Sequence, residues 1–170
     1  VRAKGGNQVL DYWNYSGSDS VKRTETQMRA ATDYYQGKRV LVIGLARSGL
    51  AVSNLLASEG AIVTVTDEKS RRELISNIKK LDKGIKVILG DQDSARLKNS
   101  VSESDMVVIS PGVPQENSLV TRAKELKIPV LSELEVAFDI ASARLDWNAS
   151  SSPPVVAVTG TNGKTTTCEL

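Results

Sequence analysis

The chain has 170 residues, enough for one well-buried domain and part of another. Hydrophobic residues make up 40% and charged residues 25%, which is typical of a folded globular protein. The formal net charge of +2, without a clustered basic run, argues against nucleic acid as a partner. No apolar stretch approaches the roughly 20 residues that span a bilayer, so membrane insertion is not expected.

The residue types exclude several kinds of chemistry. Because the sequence contains no histidine, these residues cannot form a Ser-His-Asp or Cys-His catalytic group or a His-ligated zinc site. The single cysteine, Cys168, is interpreted as a small packed residue, with a nucleophile as the alternative. The start lacks a signal-peptide layout, which predicts a cytoplasmic protein, or a stromal one if an upstream transit peptide has been removed.

The first predicted elements form a strand-helix-strand unit. Residues 1–36 are polar and are expected to be a poorly ordered extension without chemistry. The apolar run RVLVIG (39–44) is typical of a strand buried on both faces of a parallel sheet. SGLAVSNLLASEG (48–60) has apolar residues at helical spacing, and AIVTVTD (61–67) predicts a second strand. These elements predict a βαβ unit with a right-handed crossover.

The same alternation continues along the chain. Helices are predicted at 70–81, 94–98, 117–126 and 133–141, and strands at 85–89, 105–110 and 128–132. Residues 37–141 are therefore expected to form an α/β domain with a Rossmann-like, open, mostly parallel sheet and helices on both faces. A Ser/Pro cluster ends the predicted linker at 142–154, and residues 155–170 would supply the first strand and phosphate loop of a second α/β domain.

The sequence GTNGKT, from Gly160 to Thr165, predicts a phosphate-binding loop because it follows the apolar run VVAVT. Its glycines allow main-chain N–H groups to turn toward phosphates, Lys164 would reach the terminal phosphates, and the Thr165 hydroxyl would coordinate Mg²⁺. Val158 stands where the general pattern has a glycine. The alternative is an ordinary glycine-rich turn.

A second glycine-bounded loop, GLARSG, follows the first strand and is a variant of the dinucleotide-binding fingerprint. Gly44 permits a tight turn, and the start of the next helix at 46–48 offers N–H groups to a pyrophosphate. Ala46 replaces the middle glycine, and its methyl group would crowd a diphosphate if its φ were positive. Asp67, at the end of the second strand, stands where such folds place an acid that binds a nucleoside. The alternative is a plain turn with a solvated aspartate.

The Pro-Gly turn SPGVP, at 110–114, follows the fourth predicted strand. It is therefore expected at the same carboxyl edge of the sheet as GLARSG and Asp67, where ligands of open α/β sheets bind. Taken alone, a Pro-Gly sequence most often forms only a turn.

Together these stretches resemble the Mur ligase family of peptidoglycan biosynthesis, from about residue 37 to residue 170. The resemblance rests on VLVIGLARSGLAV, TVTDEKS, DMVVISPGVP and VVAVTGTNGKTTT, which occur in the family's order. TGTNGKT is the family's own form of the phosphate loop and accounts for Val158. ARSG and SELEVAF are similar to the member that adds D-glutamate.

The resemblance implies which residues would bind each ligand. A first domain would hold the UDP of a sugar-peptide substrate, with the diphosphate at Leu45, Ala46, Arg47 and Ser48, the uracil at Asp67, Glu68 and Lys69, and the same pocket lined by Ser110, Pro111 and Gly112. A central domain would bind ATP and Mg²⁺ through Gly160, Thr161, Asn162, Gly163, Lys164, Thr165 and Thr166. In that loop Lys164 is the implied catalytic residue, on the terminal phosphate, and Thr165 the magnesium ligand.

The implied activity of the whole protein is ATP-dependent amide formation, in which D-glutamate is added to UDP-N-acetylmuramoyl-L-alanine through an acyl phosphate. The 170 residues alone are expected to bind the UDP-sugar and to be inactive. Two alternatives stay open: an NAD(P)-dependent Rossmann oxidoreductase, in which GTNGKT would have no role, and a non-catalytic nucleotide-sugar-binding module.

Overall fold

The computed structural model describes residues 34–90 and 94–144, without the side chains of 142–144. The predicted linker from residue 145 onward and the phosphate loop lie outside the described residues, as does the predicted extension up to residue 33. The elements of the described part are β1 (Arg39–Ile43), α1 (Arg47–Ser58), β2 (Ile62–Asp67), α2 (Arg71–Ile78), β3 (Lys86–Leu89), α3 (Ala95–Ser102), β4 (Met106–Ile109), α4 (Ser118–Glu125), β5 (Val130–Ser132) and α5 (Glu133–Arg144).

The five strands form one parallel sheet in the order β3-β2-β1-β4-β5. The central strand β1 pairs with both β2 and β4, with Val42 opposite Val65 on one side and Val108 on the other. The chain runs outward from β1 through β2 to β3 and then crosses to the other side at β4. This change of direction creates a switch point at the carboxyl end of β1, where ligands of such sheets bind. The predicted Rossmann-like α/β fold is confirmed.

Successive residues of β1 contribute to two separate cores, because side chains of a strand alternate between its faces. Val40 and Val42 pack on one face, whereas Leu41 and Ile43 pack on the other. The first core includes Val52 and Leu56 of α1 with Val136 and Ile140 of α5; the second includes Leu97 and Val101 of α3 with Leu119, Val120 and Ala123 of α4. Helices therefore cover both faces of the sheet, which explains the uninterrupted apolar run of β1.

The helix ends follow local capping chemistry. Ser70 and Glu73 form a capping box at the start of α2, and the hydrogen bonds from Ser70 lower the pKa of the Glu73 carboxyl group. Helix α2 ends at Ile78 rather than Leu81; the Asn54 amide donates to the Lys80 carbonyl at 2.9 Å in the turn that follows. Within the described ranges, no helix is long and apolar enough to cross a membrane.

The folded domain begins before Gly37, the residue at which the sequence predicts its start. Tyr35 is only 2% exposed and belongs to the core beside α1 and α5. Its ring meets that of Tyr34 edge-on at 5.0 Å, and its hydroxyl donates to Asp139 Oδ2 at 3.4 Å. Burial, followed by the nearby Asp139 carboxylate, raises the pKa of Tyr35, so the hydroxyl remains a donor. The end of the predicted extension is thus part of the folded domain.

We expect Tyr35→Ala to lower the free energy of unfolding by about 3–5 kcal/mol, because it empties a buried aromatic site. Tyr35→Phe keeps the ring and removes only a long hydrogen bond, so it should cost less than about 1 kcal/mol. Urea denaturation followed by circular dichroism measures both variants. If Tyr35→Ala unfolded at the same urea concentration as the unmodified chain, Tyr35 would not belong to the core.

Candidate functional site

The loop between β1 and α1 makes its tight turn at Gly44, as predicted. Gly44 has a φ of +100°, a conformation that glycine adopts without strain, and its N–H group donates to the Thr66 carbonyl at 2.8 Å. A Cβ atom at this position would lie 2.8 Å from the Cβ and Oγ atoms of Ser110. Both the conformation and the close approach of the loop after β4 therefore require glycine here.

Helix α1 starts without a side-chain cap at the carboxyl edge of the sheet. Its N-cap residue, Ala46, has a φ of −78°, so it lacks the positive φ that would push its methyl group toward a diphosphate. Ala46, Arg47 and Ser48 are exposed, and their main-chain N–H groups donate to no group in the described part of the chain. These donors, at the positive end of the helix dipole, are available to an anion.

Close contact between α1 and the loop depends on Gly49. A Cβ atom on Gly49 would lie 2.1 Å from the Gly44 carbonyl oxygen and 2.9 Å from Ser110 Oγ. The Gly49 carbonyl in turn accepts a hydrogen bond from Ser53 Oγ at 2.6 Å. The glycine corresponds to the last one of the dinucleotide-binding fingerprint, which permits close packing of helix and strand.

The carboxylate of Asp67 joins two loops through main-chain hydrogen bonds. Its Oδ2 atom accepts from the Leu45 N–H group at 2.7 Å, and its Oδ1 atom accepts from the Lys69 N–H group at 2.8 Å. Asp67 is half-buried, whereas Glu68 and Lys69 are exposed. The aspartate is therefore not simply solvated at the end of β2. It holds the loop between β1 and α1 (residues 44–46, the first loop) beside the loop between β2 and α2 (residues 68–70, the second loop).

Asn77 of α2 is a site residue that sequence reasoning missed. Its Nδ2 atom donates to the Leu45 carbonyl oxygen at 2.7 Å, across 32 residues of sequence. The only sequence signal for this contact was the spacing of Asn77, three residues after the buried Leu74 and thus on the same side of the helix. That spacing indicates an inward-facing residue but does not identify its partner.

These groups line a cleft of about 410 Å³ between α1 and α2, at the carboxyl ends of β1 and β2. Its lining comprises Leu45, Ala46, Arg47, Leu50, Asp67, Lys69, Glu73, Leu74, Asn77 and Lys80. Three lining side chains are basic and two are acidic, and both acidic side chains accept main-chain hydrogen bonds. The cleft is therefore of a size typical of small-ligand sites and suits an anionic group.

The predicted site residues after β4 lie beside this cleft but do not line it. Ser110 is only 5% exposed; its hydroxyl donates to Glu133 Oε1 at 2.5 Å and lies 3.4 Å from the Gly44 carbonyl oxygen. Pro111 and Gly112 are exposed on the adjoining turn. Sequence reasoning used Glu133 only within the SELEVAF resemblance and missed its contact with Ser110. Like Pro111 and Gly112, Ser48 and Glu68 are absent from the cleft lining.

The predicted ATP and magnesium residues lie outside the described residues. They are Gly160, Thr161, Asn162, Gly163, Lys164, Thr165 and Thr166. Within residues 34–90 and 94–144, no group of three or more His, Cys, Asp or Glu side chains could hold a metal ion.

The sheet order and the glycine-bounded loop at the switch point define a Rossmann-like α/β domain. Residues 38–132 match the family described as Mur ligase MurD-like, N-terminal domain. The match covers more than half of the chain, and the chain belongs to this family. The resemblance stated from the sequence motifs is therefore confirmed.

Pairwise similarity to individual relatives covers more of the chain than the family match does. The chain is 40% identical over 138 residues to a UDP-N-acetylmuramoylalanine--D-glutamate ligase of Listeria monocytogenes, covering 81% of this chain and 28% of the relative. It is 44% identical over 136 residues to the ligase of the same name from Geotalea daltonii, covering 79% and 27%. The chain thus spans little more than a quarter of the length of these relatives.

Among solved structures, the chain is similar to a pseudomurein peptide ligase type C from Methanothermus fervidus. The two are 28% identical, with a TM-score of 0.44, over 78% of this chain and 24% of the other.

Proposed function

We propose that this domain binds the UDP part of a nucleotide-sugar substrate in an ATP-dependent ligase that adds D-glutamate to UDP-N-acetylmuramoyl-L-alanine. Family membership and the names of the relatives support the class of enzyme and its substrates. The observation that carries the proposal is the cleft at the carboxyl ends of β1 and β2, where the Asp67 carboxylate holds the Leu45 N–H group beside the uncapped start of α1.

The Asp67 carboxylate supplies the acceptor that the imide N–H group of uracil requires. A carboxylate can accept about four hydrogen bonds, so Asp67 can bind the base while it keeps its bonds to the Leu45 and Lys69 N–H groups.

The start of α1 would hold the diphosphate. The N–H groups of residues 46–48 supply main-chain donors, and Arg47 and Lys69 supply positive charge at the cleft. Because Ala46 has an ordinary negative φ, its methyl group does not require the backbone to move.

The ATP part of the proposal rests on the sequence motif alone. Lys164 and Thr165 would hold the terminal phosphates and Mg²⁺, within the loop from Gly160 to Thr166. Bound ATP would supply the phosphoryl group that activates the substrate carboxylate, giving the acyl phosphate that D-glutamate attacks. We propose that the protein acts in the cytoplasm, where its nucleotide substrates are found.

Calorimetric titration of the 170-residue chain with UDP-N-acetylmuramoyl-L-alanine tests this proposal. We expect saturable binding with one molecule per chain, competition by UDP, and no heat of binding with NADH or NADPH. Binding of NADH or NADPH without binding of the UDP-sugar would reject the proposal and favour the oxidoreductase alternative.

A further inference from the structure

We infer that Asn77 is a positioning residue that orients the first loop for the diphosphate of the nucleotide. This inference rests on the proposed function, because it concerns the start of α1, where the diphosphate would bind. Asn77 would act through the main chain of Leu45 and Ala46, without carrying charge to the site itself.

The evidence begins with Leu45, whose main chain is held from two sides. Its N–H group donates to Asp67 at 2.7 Å, and its carbonyl oxygen accepts from Asn77 Nδ2, also at 2.7 Å. Its side chain is completely buried in the core. Leu45 therefore has little freedom to rotate while both polar partners are present.

The hydrogen bond from Asn77 determines the direction of the next N–H group. The Leu45 carbonyl belongs to the same peptide unit as the Ala46 N–H group, and the described residues contain no cis peptide bond. In a trans peptide these two groups point in opposite directions. By holding the carbonyl toward α2, Asn77 directs the Ala46 N–H group away from α2. Ala46 contributes the first of the main-chain donors at the start of α1.

No comparable side-chain hydrogen bond holds the other carbonyl of this loop in the described structure. Ser110 Oγ lies 3.4 Å from the Gly44 oxygen, but Glu133 Oε1 is nearer, at 2.5 Å. A serine hydroxyl has only one proton, and the shorter contact takes it. Asn77 is thus the principal side-chain donor that controls the carbonyl groups of the loop.

The chain contains a matched control in Asn54 of α1. Its amide also links α1 to the segment after α2, donating to the Lys80 carbonyl at 2.9 Å and accepting from the Asp82 N–H group at 3.0 Å. Asn54 does not line the cleft and has no hydrogen bond to the first loop. Replacing either asparagine removes an amide-to-backbone link, but only Asn77 is linked to Leu45.

The test compares the affinities of UDP and uridine for the 170-residue chain and its variants. UDP binding is measured by calorimetry, and weaker uridine binding by NMR titration. For Asn77→Ala, we expect the Kd of UDP to rise about tenfold and that of uridine less than about twofold, as loss of one well-placed hydrogen bond would produce. Asn77→Asp, which keeps the shape but cannot donate when ionised, should lose at least as much UDP affinity. Asn54→Ala should leave both affinities within about twofold.

The possible results distinguish a failure of the positioning role from a failure of the proposed function. If the unmodified chain does not bind UDP, the proposed function itself fails. If it does bind UDP and Asn77→Ala binds UDP equally well, the positioning role alone is overturned. Equal losses for UDP and uridine, or the same losses with Asn54→Ala, would also overturn it, because a purely structural link would produce them. Thermal unfolding of each variant verifies that the folded chain is being titrated.

Discussion

Gly49→Ala is expected to lower the free energy of unfolding by more than about 2 kcal/mol, although alanine normally stabilises a helix relative to glycine. The reason is the contact between α1 and the first loop: the added Cβ atom would lie 2.1 Å from the Gly44 carbonyl oxygen. That oxygen belongs to the main chain, so no side-chain rotation can relieve the clash. Helix α1 or the loop must move, and the donors at the start of α1 would move with it.

Gly112→Ala is the matched control for stability. Gly112 does not have a positive φ, and a Cβ atom built there has no neighbour within 4 Å. Its free energy of unfolding should therefore change by less than about 0.5 kcal/mol. Urea denaturation of the two variants provides the comparison. If Gly49→Ala were as stable as Gly112→Ala, the close packing of α1 against Gly44 would be refuted.

Asp67→Ala is expected to weaken binding of the UDP-sugar by about 100-fold or more, since charged hydrogen bonds contribute about 1.5–3 kcal/mol each and two main-chain partners are affected. Leu45 would lose the acceptor for its N–H group, and Lys69 would lose the one that orders the second loop. The variant would also lack the carboxylate proposed to accept the uracil N–H group.

Asp67→Asn separates the shape of the side chain from its hydrogen bonding. Its single acceptor oxygen can serve only one of the two N–H groups, and its NH₂ group would face the other donor, so we expect an intermediate loss of affinity. Asp82→Ala removes an exposed carboxylate in the turn after α2 and keeps the main-chain bond to Asn54, so it should bind like the unmodified chain. Calorimetric titration measures all three variants. Undiminished binding by Asp67→Ala would contradict the placement of the nucleotide in this cleft.

The sequence predicted the features that depend on local pattern. The run RVLVI is apolar at every position after Arg39, and it forms the central strand between two cores. Helix α3 extends beyond its predicted end because Val101 continues the buried face that Leu97 begins, four residues earlier. The helix starts at Ser70 and Asn117 were predictable because both residue types are common N-caps.

Side-chain partners in the site were less predictable. Asp67 was recognised by its place at the end of a strand, but its two main-chain donors were not foreseen. Asn77 carried no motif, and Ser110 was expected to line a ligand pocket, whereas its hydroxyl is directed to Glu133. In each case the residue type and position indicated a polar contact at the carboxyl edge, but packing of the helices selected the partner.

By itself, the sequence determined the class of fold, the order of its elements and the positions of its glycine-bounded loops, and its motifs resembled those of the family. The fold properties follow from periodicity, capping and loop motifs, which involve residues close together in the chain. Only the tertiary structure decided that Asn77 holds Leu45 and that Tyr35, 104 residues away from Asp139, completes the core beside α5. Contacts over such separations form only after the sheet brings distant segments together, and the geometry of that packing determines which donor meets which acceptor.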